Sequence, residues 1–476
     1  MKKIYEQLLE AIPDYQAFLT VDEMDDSSRR LAEAFPDVVS IREIGKTQEG
    51  RALLCLKIGE DMLDEQGTPR NLLMLGLPHP NEPIGAMMLE HLTWELGKSK
   101  ELRRELGYTV YVVKAWDLDG AIKNEGWFKG PFTVTHYMRN FFRPAGHQQV
   151  DWTFPVDYKE LHFDKPIPET VAVMKLIDEV RPRMIYNLHN AGFGGAYWYM
   201  SAPTPEIFKD LLAIPPKYHV PLHMGEPESN SAPIYDTAIY GCLGIASEYD
   251  HIEKYSVKDM KEVVKAMSSG DCSASYAREK YGSFTLLAEL PYFYDSRIED
   301  LSPSDISRRD ALILSHEENA AINTEIFAIM EALEPHMNPR NQYLMAVKSF
   351  TKHEGGGLDA LKAMLDSDPK YDKPATVAEK FDSLLGTSKF YKTLNFALLL
   401  GGSAYELDQM ALSGEGNPAK KAGLEAGHAL ALAAFDKATA ALEAQLNYSA
   451  VPIRSLIGVQ LESGLRVAEY LKEHKV

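Results

Sequence analysis

The chain has 476 residues, 45% of them apolar and 25% charged, and its 50 Lys+Arg against 69 Asp+Glu give a formal net charge of -19. This apolar content excludes general disorder, and the length suits one large domain with a smaller companion; the acidic balance has the wrong sign for a nucleic-acid partner. Three scattered cysteines, Cys55, Cys242 and Cys272, provide neither a disulfide framework nor a thiolate zinc site.

The N-terminal stretch MKKIYEQLLEAIPDYQ starts basic but places Glu6 and Glu10 where an apolar signal core would stand. No run approaches the ~18 apolar residues of a membrane span, so a soluble, cytoplasmic protein without a membrane partner is expected. Residues 1–37 read as a helical lead-in. VVSIREIG and RALLCLKIG, separated by the turn-like KTQEG, then predict a hairpin. NLLMLGL (71–77) is a buried strand, and IGAMMLEHLTWEL (84–96) is an amphipathic helix entered through Pro83. Strand 108–116, helix 168–180, strand 183–188 and strand 283–290 follow, and helix 307–333 closes the segment. Strands alternating with helices predict an α/β domain with a mixed, largely parallel sheet flanked by helices. PHMNPRNQ (335–342) marks a boundary, which divides the chain into 1–338 and an all-α region 339–476. The C-terminal helices offer a surface for self-association, or pack on the α/β domain.

GLPHPNEPIG (76–85) carries the strongest chemical signal, because His79 and Glu82 stand three residues apart just after a buried strand. Two zinc ligands this close chelate from one turn, leaving a third ligand to arrive from elsewhere and a position open for water. With 14 histidines in the chain the spacing alone is weak, and His223 with Glu226 repeats it. Position strengthens the first pair: it lies at a strand's C-terminal end, where open α/β sheets bind ligands. His189, in IYNLHNAGFGG, also closes a buried strand, and Glu289, in TLLAELPYF, stands near the end of another. An ionisable group there is costly unless paired or used. Singly, His189 reads as a core histidine and Glu289 as an ion-pair partner. Together, two histidines and a glutamate for zinc, with a further glutamate as base, make the constellation of metal-assisted hydrolysis.

These residues carry a resemblance to the zinc carboxypeptidase family, the carboxypeptidase A-like metallopeptidases, over about residues 38–330. SIREIGKTQEGRALLCLKIG is similar to the family's opening hairpin, PHPNEPIG to its His-x-x-Glu element, and DLDG (117–120) to its Asn-Pro-Asp-Gly turn. YMRNFFRP (137–144) resembles the oxyanion-arginine segment, VDWTFP (150–155) the Val-Asp-Leu-Asn-Arg-Asn-Phe-Pro motif, and PETVAVMKLIDEVRPRMIYNLHNAG the helix, strand and third-ligand block. YGSFTLLAEL resembles the strand of the catalytic glutamate. The resemblance implies one zinc per chain held by His79, Glu82 and His189. It implies that Glu289 takes a proton from the activated water and hands it to the leaving amine, and that Arg139 stabilises the oxyanion. It also implies that Asp151 accepts a hydrogen bond from the first zinc histidine. Arg139 and Arg143 read otherwise as surface or ion-pair arginines.

Departures from the family pattern bear on substrate. The Asn-Arg pair that grips a terminal carboxylate is missing from Asp151-Trp152-Thr153-Phe154-Pro155, and the family's mobile tyrosine falls near Ala266, with Tyr276 the nearest candidate. Arg143, Asn140, Asn190 and Asp271 are the candidate substrate-binding residues. Arg143 could grip a carboxylate, and Asp271 could favour an amine-bearing group or be a solvated loop acid. His353 and His428 read as a loop residue and a packed helix residue. The expectation is a zinc-dependent peptide or amide hydrolase whose partner is a peptide or acylated amino acid. A deacylase or amidase of N-acyl amino acids or cell-wall-type peptides, with aspartoacylase-like chemistry, and an inactive zinc-binding module are the alternatives.

Overall fold

The computed structural model describes residues 2–225, 227–229, 231–242, 244–255, 259–267, 269–351, 357–414 and 417–474, so His353 and Glu226 lie outside the described residues. Two helices open the chain, Lys3–Glu10 and Val21–Ala34. The second starts on a capping box, in which Thr20 and Glu23 satisfy each other's backbone N–H groups. Strands β1 (Val39–Lys46) and β2 (Ala52–Ile58) then form the expected antiparallel hairpin.

Seven further strands complete one nine-stranded sheet: β3 (Asn71–Gly76), β4 (Thr109–Val113), β5 (Met184–Leu188), β6 (Tyr197–Met200), β7 (Ile234–Asp236), β8 (Ile239–Gly241) and β9 (Phe284–Glu289). Their spatial order is β1-β2-β4-β3-β5-β9-β6-β8-β7. The central strands β4, β3, β5 and β9 run parallel, and the sheet turns antiparallel at β2–β4 on one side and β9–β6 on the other. All of β3 is buried, because both sheet faces are covered. Successive side chains point to opposite faces, so Leu72 and Met74 join one apolar cluster while Leu73 and Leu75 join another. Helix Pro168–Val180 supplies Val173, Leu176 and Ile177 to the second cluster.

Beyond residue 338 the chain is mainly helical, with helices Gln342–Phe350, Gly357–Asp366, Phe390–Ser413, Pro418–Glu443 and Ile453–Glu473. The larger apolar cluster nevertheless runs without a break from the sheet into these helices. Helix Ile453–Glu473 lies directly against the sheet. Tyr186 Oη donates to the Gln460 carbonyl at 2.6 Å, Tyr108 Oη to that of Ala468 at 2.8 Å, and Trp198 Nε1 to Ser463 Oγ at 3.1 Å. Gly464 permits this approach, since a Cβ there would stand 2.5 Å from the Tyr186 ring. Two short ladders tie the segments further, Phe293–Asp295 with Tyr448–Ala450 and Pro303–Ser307 with Pro374–Thr376. Among the described residues no helix is long and apolar enough to cross a membrane.

Candidate functional site

Three central strands deliver their ends to one cleft. After β3 the chain turns through Leu77, a non-glycine residue at φ 48°, into Pro78-His79-Pro80-Asn81-Glu82-Pro83. Such backbone is strained and persists only where its surroundings fix it. Here the Trp116 and Asp117 N–H groups hold the Gly76 and Leu77 carbonyls at 3.0 Å, and Glu82 N–H closes a turn onto the His79 carbonyl at 3.1 Å. Asn81 is pinned by Tyr292 Oη on its carbonyl at 2.7 Å and donates to Tyr137 Oη at 3.1 Å. Helix Ile84–Lys98 follows, so His79 and Glu82 sit between strand and helix as the sequence predicts.

His189 follows β5, and its N–H donates to the Ala288 carbonyl at 3.0 Å. Its neighbour Asn190 is a brace: Oδ1 accepts from Ile84 N–H at 3.2 Å, Nδ2 donates to the Leu290 carbonyl at 3.3 Å, and its backbone N–H donates to Glu82 Oε2 at 3.3 Å. His79, Glu82 and His189 are only 4%, 2% and 4% exposed, and one ligand atom from each lies within 4.8 Å of the others. His189 Nδ1 stands 3.0 Å from Glu82 Oε2 and 3.7 Å from Glu289 Oε1.

This donor set fits a metal ion. His79 Nδ1 is buried without a hydrogen-bond partner, and a buried polar atom left so is costly. Burial above all, with the charges of Arg143 and His189, holds His79 well below the usual imidazole range, which keeps it neutral with a lone pair to offer. Two imidazoles and a carboxylate are ordinary zinc ligands. Glu289 ends β9 beside them. Burial, then the charges of Glu228 and Glu82, raise its carboxyl well above the usual carboxylate range, against the opposing pull of Arg143. Its Oε2 has no partner among the described residues.

The two arginines divide sharply. Arg143 lines the cleft, with Nη1 3.4 Å from Glu82 Oε1, Nε 3.2 Å from Gln149 Oε1, and its guanidinium over the Trp152 ring. Arg139, expected at the oxyanion, instead ends helix Val134–Arg139 and faces away. It pairs with Asp436 at 2.7 Å, lies over Phe435 and is 43% exposed. The expectation for Arg139 is corrected on this ground, because helix Pro418–Glu443 captures its side chain. Asn140 is also outside the cleft, donating to the His136 carbonyl at 2.9 Å. Asp151 does reach the cleft wall, where burial pushes its carboxyl up to about 6. Its oxygens accept from Ser273 N–H at 2.7 Å and Asn187 Nδ2 at 3.0 Å. Asp271 is spent on loop closure, accepting from the Cys272 and Ile245 N–H groups. Tyr276 bonds Asp178, and His428 bonds Ser403.

The cleft has a volume of about 440 Å³, a size suited to a short ligand. Sequence reasoning missed part of its wall: Trp152, Tyr199, Glu228, Cys242 and Cys272, and above all Tyr391, Lys392 and Asn395 from helix Phe390–Ser413. Tyr391 and Asn395 are four residues apart on one face of this helix, a pattern that could have flagged them. Glu228 sits in a polar loop that carries no such signal. The C-terminal helices also brace the ligand loop. Tyr391 Oη accepts from Gly192 N–H at 3.2 Å, and Gln460 Nε2 donates to the His189 carbonyl at 3.2 Å.

The chain is 23% identical to carboxypeptidase D of Anas platyrhynchos over 215 residues, which is 42% of this chain and 15% of that protein. It is 23% identical to carboxypeptidase D of Homo sapiens over 237 residues, 46% of this chain and 16% of that protein. The aligned segments thus span about a sixth of the length of these relatives. Among solved structures, a metallo-carboxypeptidase from Burkholderia cenocepacia aligns with TM-score 0.35 and 17% identity over 57% of this chain and 60% of that one. Carboxypeptidase A from Helicoverpa armigera aligns with TM-score 0.37 and 16% identity over 62% and 72%. The family model described as zinc carboxypeptidase matches residues 24–262, a span that holds His79, Glu82 and His189. With that model covering half of its length, the chain belongs to the zinc carboxypeptidase family.

Proposed function

We propose that the chain is a zinc-dependent hydrolase of peptide or amide bonds, with one zinc held by His79, Glu82 and His189. The observation that carries this reading is the convergence of these three buried side chains with Glu289, whose Oε1 stands 3.7 Å from His189 Nδ1. Zinc at this position supplies Lewis acidity, which polarises a carbonyl and acidifies water. The protein's own residues supply the rest.

Glu289 has a buried, unpartnered Oε2 at the cleft and a raised affinity for protons. Such a carboxylate takes a proton from the attacking water and returns it to the nitrogen of the leaving amine. Arg143, rather than Arg139, offers a permanent positive charge where the scissile carbonyl oxygen becomes negative. Gln149 and Trp152 fix its direction, so little reorganisation is needed at the moment of reaction. Asp151, Asn187 and Ser273 form a buried hydrogen-bonded set beneath the histidines that holds the cleft floor.

The substrate is a peptide or an acylated amino acid. One observation keeps deacylase or amidase action beside carboxypeptidase action. Where the family carries a carboxylate-gripping Asn-Arg pair, this chain presents the Trp152 ring, and Thr153 is fully buried on Thr170 and the Gln149 carbonyl. Matched peptides with free and amidated C-termini test this. Cleavage of both kinds at comparable rates supports the broader hydrolase, whereas strict dependence on the free carboxylate assigns carboxypeptidase action. Metal analysis tests the parent reading: about one zinc per chain is expected, lost in His79→Ala, and native protein that takes up no zinc would contradict it.

A further inference from the structure

Helix Phe390–Ser413 turns one face to the cleft. Tyr391, Leu394, Asn395 and Leu398 all line it, and their i, i+3, i+4, i+7 spacing places them on one stripe over two turns. At 1.5 Å of rise per residue that stripe runs for about 10 Å. Phe350, the last residue of helix Gln342–Phe350, lines the cleft as well. All five lie outside the family-matched residues 24–262, whereas the zinc ligands on the other side of the same cavity lie within them.

The wall is fixed rather than hinged. At its base the Phe390 ring stacks on Tyr137 at 5.9 Å, meets the Phe193 ring edge-on at 5.4 Å and fills the space that a side chain at Gly192 would need. Leu394 and Leu398 are 3% and 0% exposed and belong to the apolar cluster that continues into the sheet. The neighbouring helix is held by Tyr343, whose ring packs on Phe142 at 4.7 Å, and by Ser349 Oγ, which accepts from Gly146 N–H at 3.1 Å. Swinging the wall aside would open this close-packed interior, so the cleft keeps its size when a ligand enters. A cavity of about 440 Å³ is roughly 9–12 Å across, the reach of about three extended residues.

We propose that the C-terminal helices close the zinc cleft to long chains, so that the substrate is a di- or tripeptide or an acylated amino acid and not the end of a protein. Exclusion by a rigid wall is selection by clash, and it needs no attractive contact with the preferred ligand. The inference rests on the amide-hydrolase reading and adds the size class of the substrate to it.

A length series with one common ending tests the proposal: acetyl-Ala-Phe, and the same peptide lengthened at its N-terminal side by one, three or seven alanines. Calorimetric binding to the zinc-loaded Glu289→Gln protein reads the series without turnover, and wild-type kinetics reads it with turnover. The longest member should bind, and be cleaved, about 100-fold or more worse than the best short one. Leu398→Ala and Asn395→Ala each cut back the wall and should narrow that ratio by about 10-fold. Melting curves and zinc content confirm that each variant is folded, and Asn395→Ala, which removes no apolar packing, serves if Leu398→Ala unfolds. Equal affinity across the series, no binding of its short members, or a length preference that both wall variants leave unchanged overturns the inference. Tight binding of the short members alone by a wild-type protein that cleaves none of them supports the wall and contradicts the hydrolase reading instead.

Discussion

Replacing Arg143 and Arg139 separately by alanine distinguishes the geometry from the motif. Arg143 is 18% exposed, clamped by Gln149 and the Trp152 ring, and close to a zinc ligand. A donor so oriented, aimed at a developing oxyanion, is worth about 10²–10³ in kcat, or roughly 3–4 kcal/mol of barrier. Arg139 is 43% exposed and bound to a half-exposed Asp436. An ion pair of that kind contributes about 0.2–1 kcal/mol to stability and nothing to the reaction. Arg143→Ala should therefore lower kcat by about 10²-fold or more, while Arg139→Ala leaves kcat and KM as they are and lowers Tm by a few degrees at most. Zinc content guards the comparison. Arg143 is a positive charge beside a cation site, so its removal should not weaken zinc binding. Steady-state kinetics on one cleaved peptide, with zinc measured in each protein, provides the assay. A large kcat loss in Arg139→Ala with a mild effect in Arg143→Ala would refute the assignment.

Two further outcomes test the surroundings of the site. Burial pushes Asp117, the cap of helix Leu118–Phe128, up to about 7. Because this lies above the unfolded value of ~3.9, the group favours folding most below pH ~4, and that contribution fades as pH rises through about 7. Asp117→Asn keeps an acceptor for Gly120 N–H without the buried charge, so it should raise unfolding free energy by about 2 kcal/mol at pH 8 and by little near pH 4; urea melts showing the same change at both pH values would contradict this. Gly192 adjoins the ligand loop, and a Cβ there would stand 2.2 Å from Phe390. Gly192→Ala should cost about 1–3 kcal/mol and lower zinc affinity, since the clash is passed to the His189 loop; unchanged melting and zinc titration would show that the helix yields freely.

The central strands were legible because their apolar runs are fully buried and end in chemically conspicuous residues. His79, Glu82, His189 and Glu289 all stand at or just beyond strand ends, where position in the sequence nearly determines position in the sheet. Arg139 misled because a motif gives residue order but not which neighbour captures a long side chain, and helix Pro418–Glu443 captured this one. Asp151 lines the cleft with Asn187 and Ser273 as its partners rather than the expected histidine, because those partners depend on the loop bearing Ser273, which no local pattern specifies. The sequence left the C-terminal helices open between self-association and shaping the cleft, for a different reason. Their contact with the sheet rests on pairs such as Tyr186 with Gln460, 274 residues apart in the chain. A composition read as an all-α appendage therefore became one wall of the cleft.

Turnover by zinc-loaded Glu289→Gln tests the central claim most directly. Glutamine keeps the shape of the side chain and removes its capacity to take a proton, while the ligands His79, Glu82 and His189 remain. The protein should hold about one zinc per chain and lose hydrolysis by several orders of magnitude, on the order of 10³-fold or more. A variant that holds zinc and cleaves at the wild-type rate would contradict the assignment of Glu289 as the base.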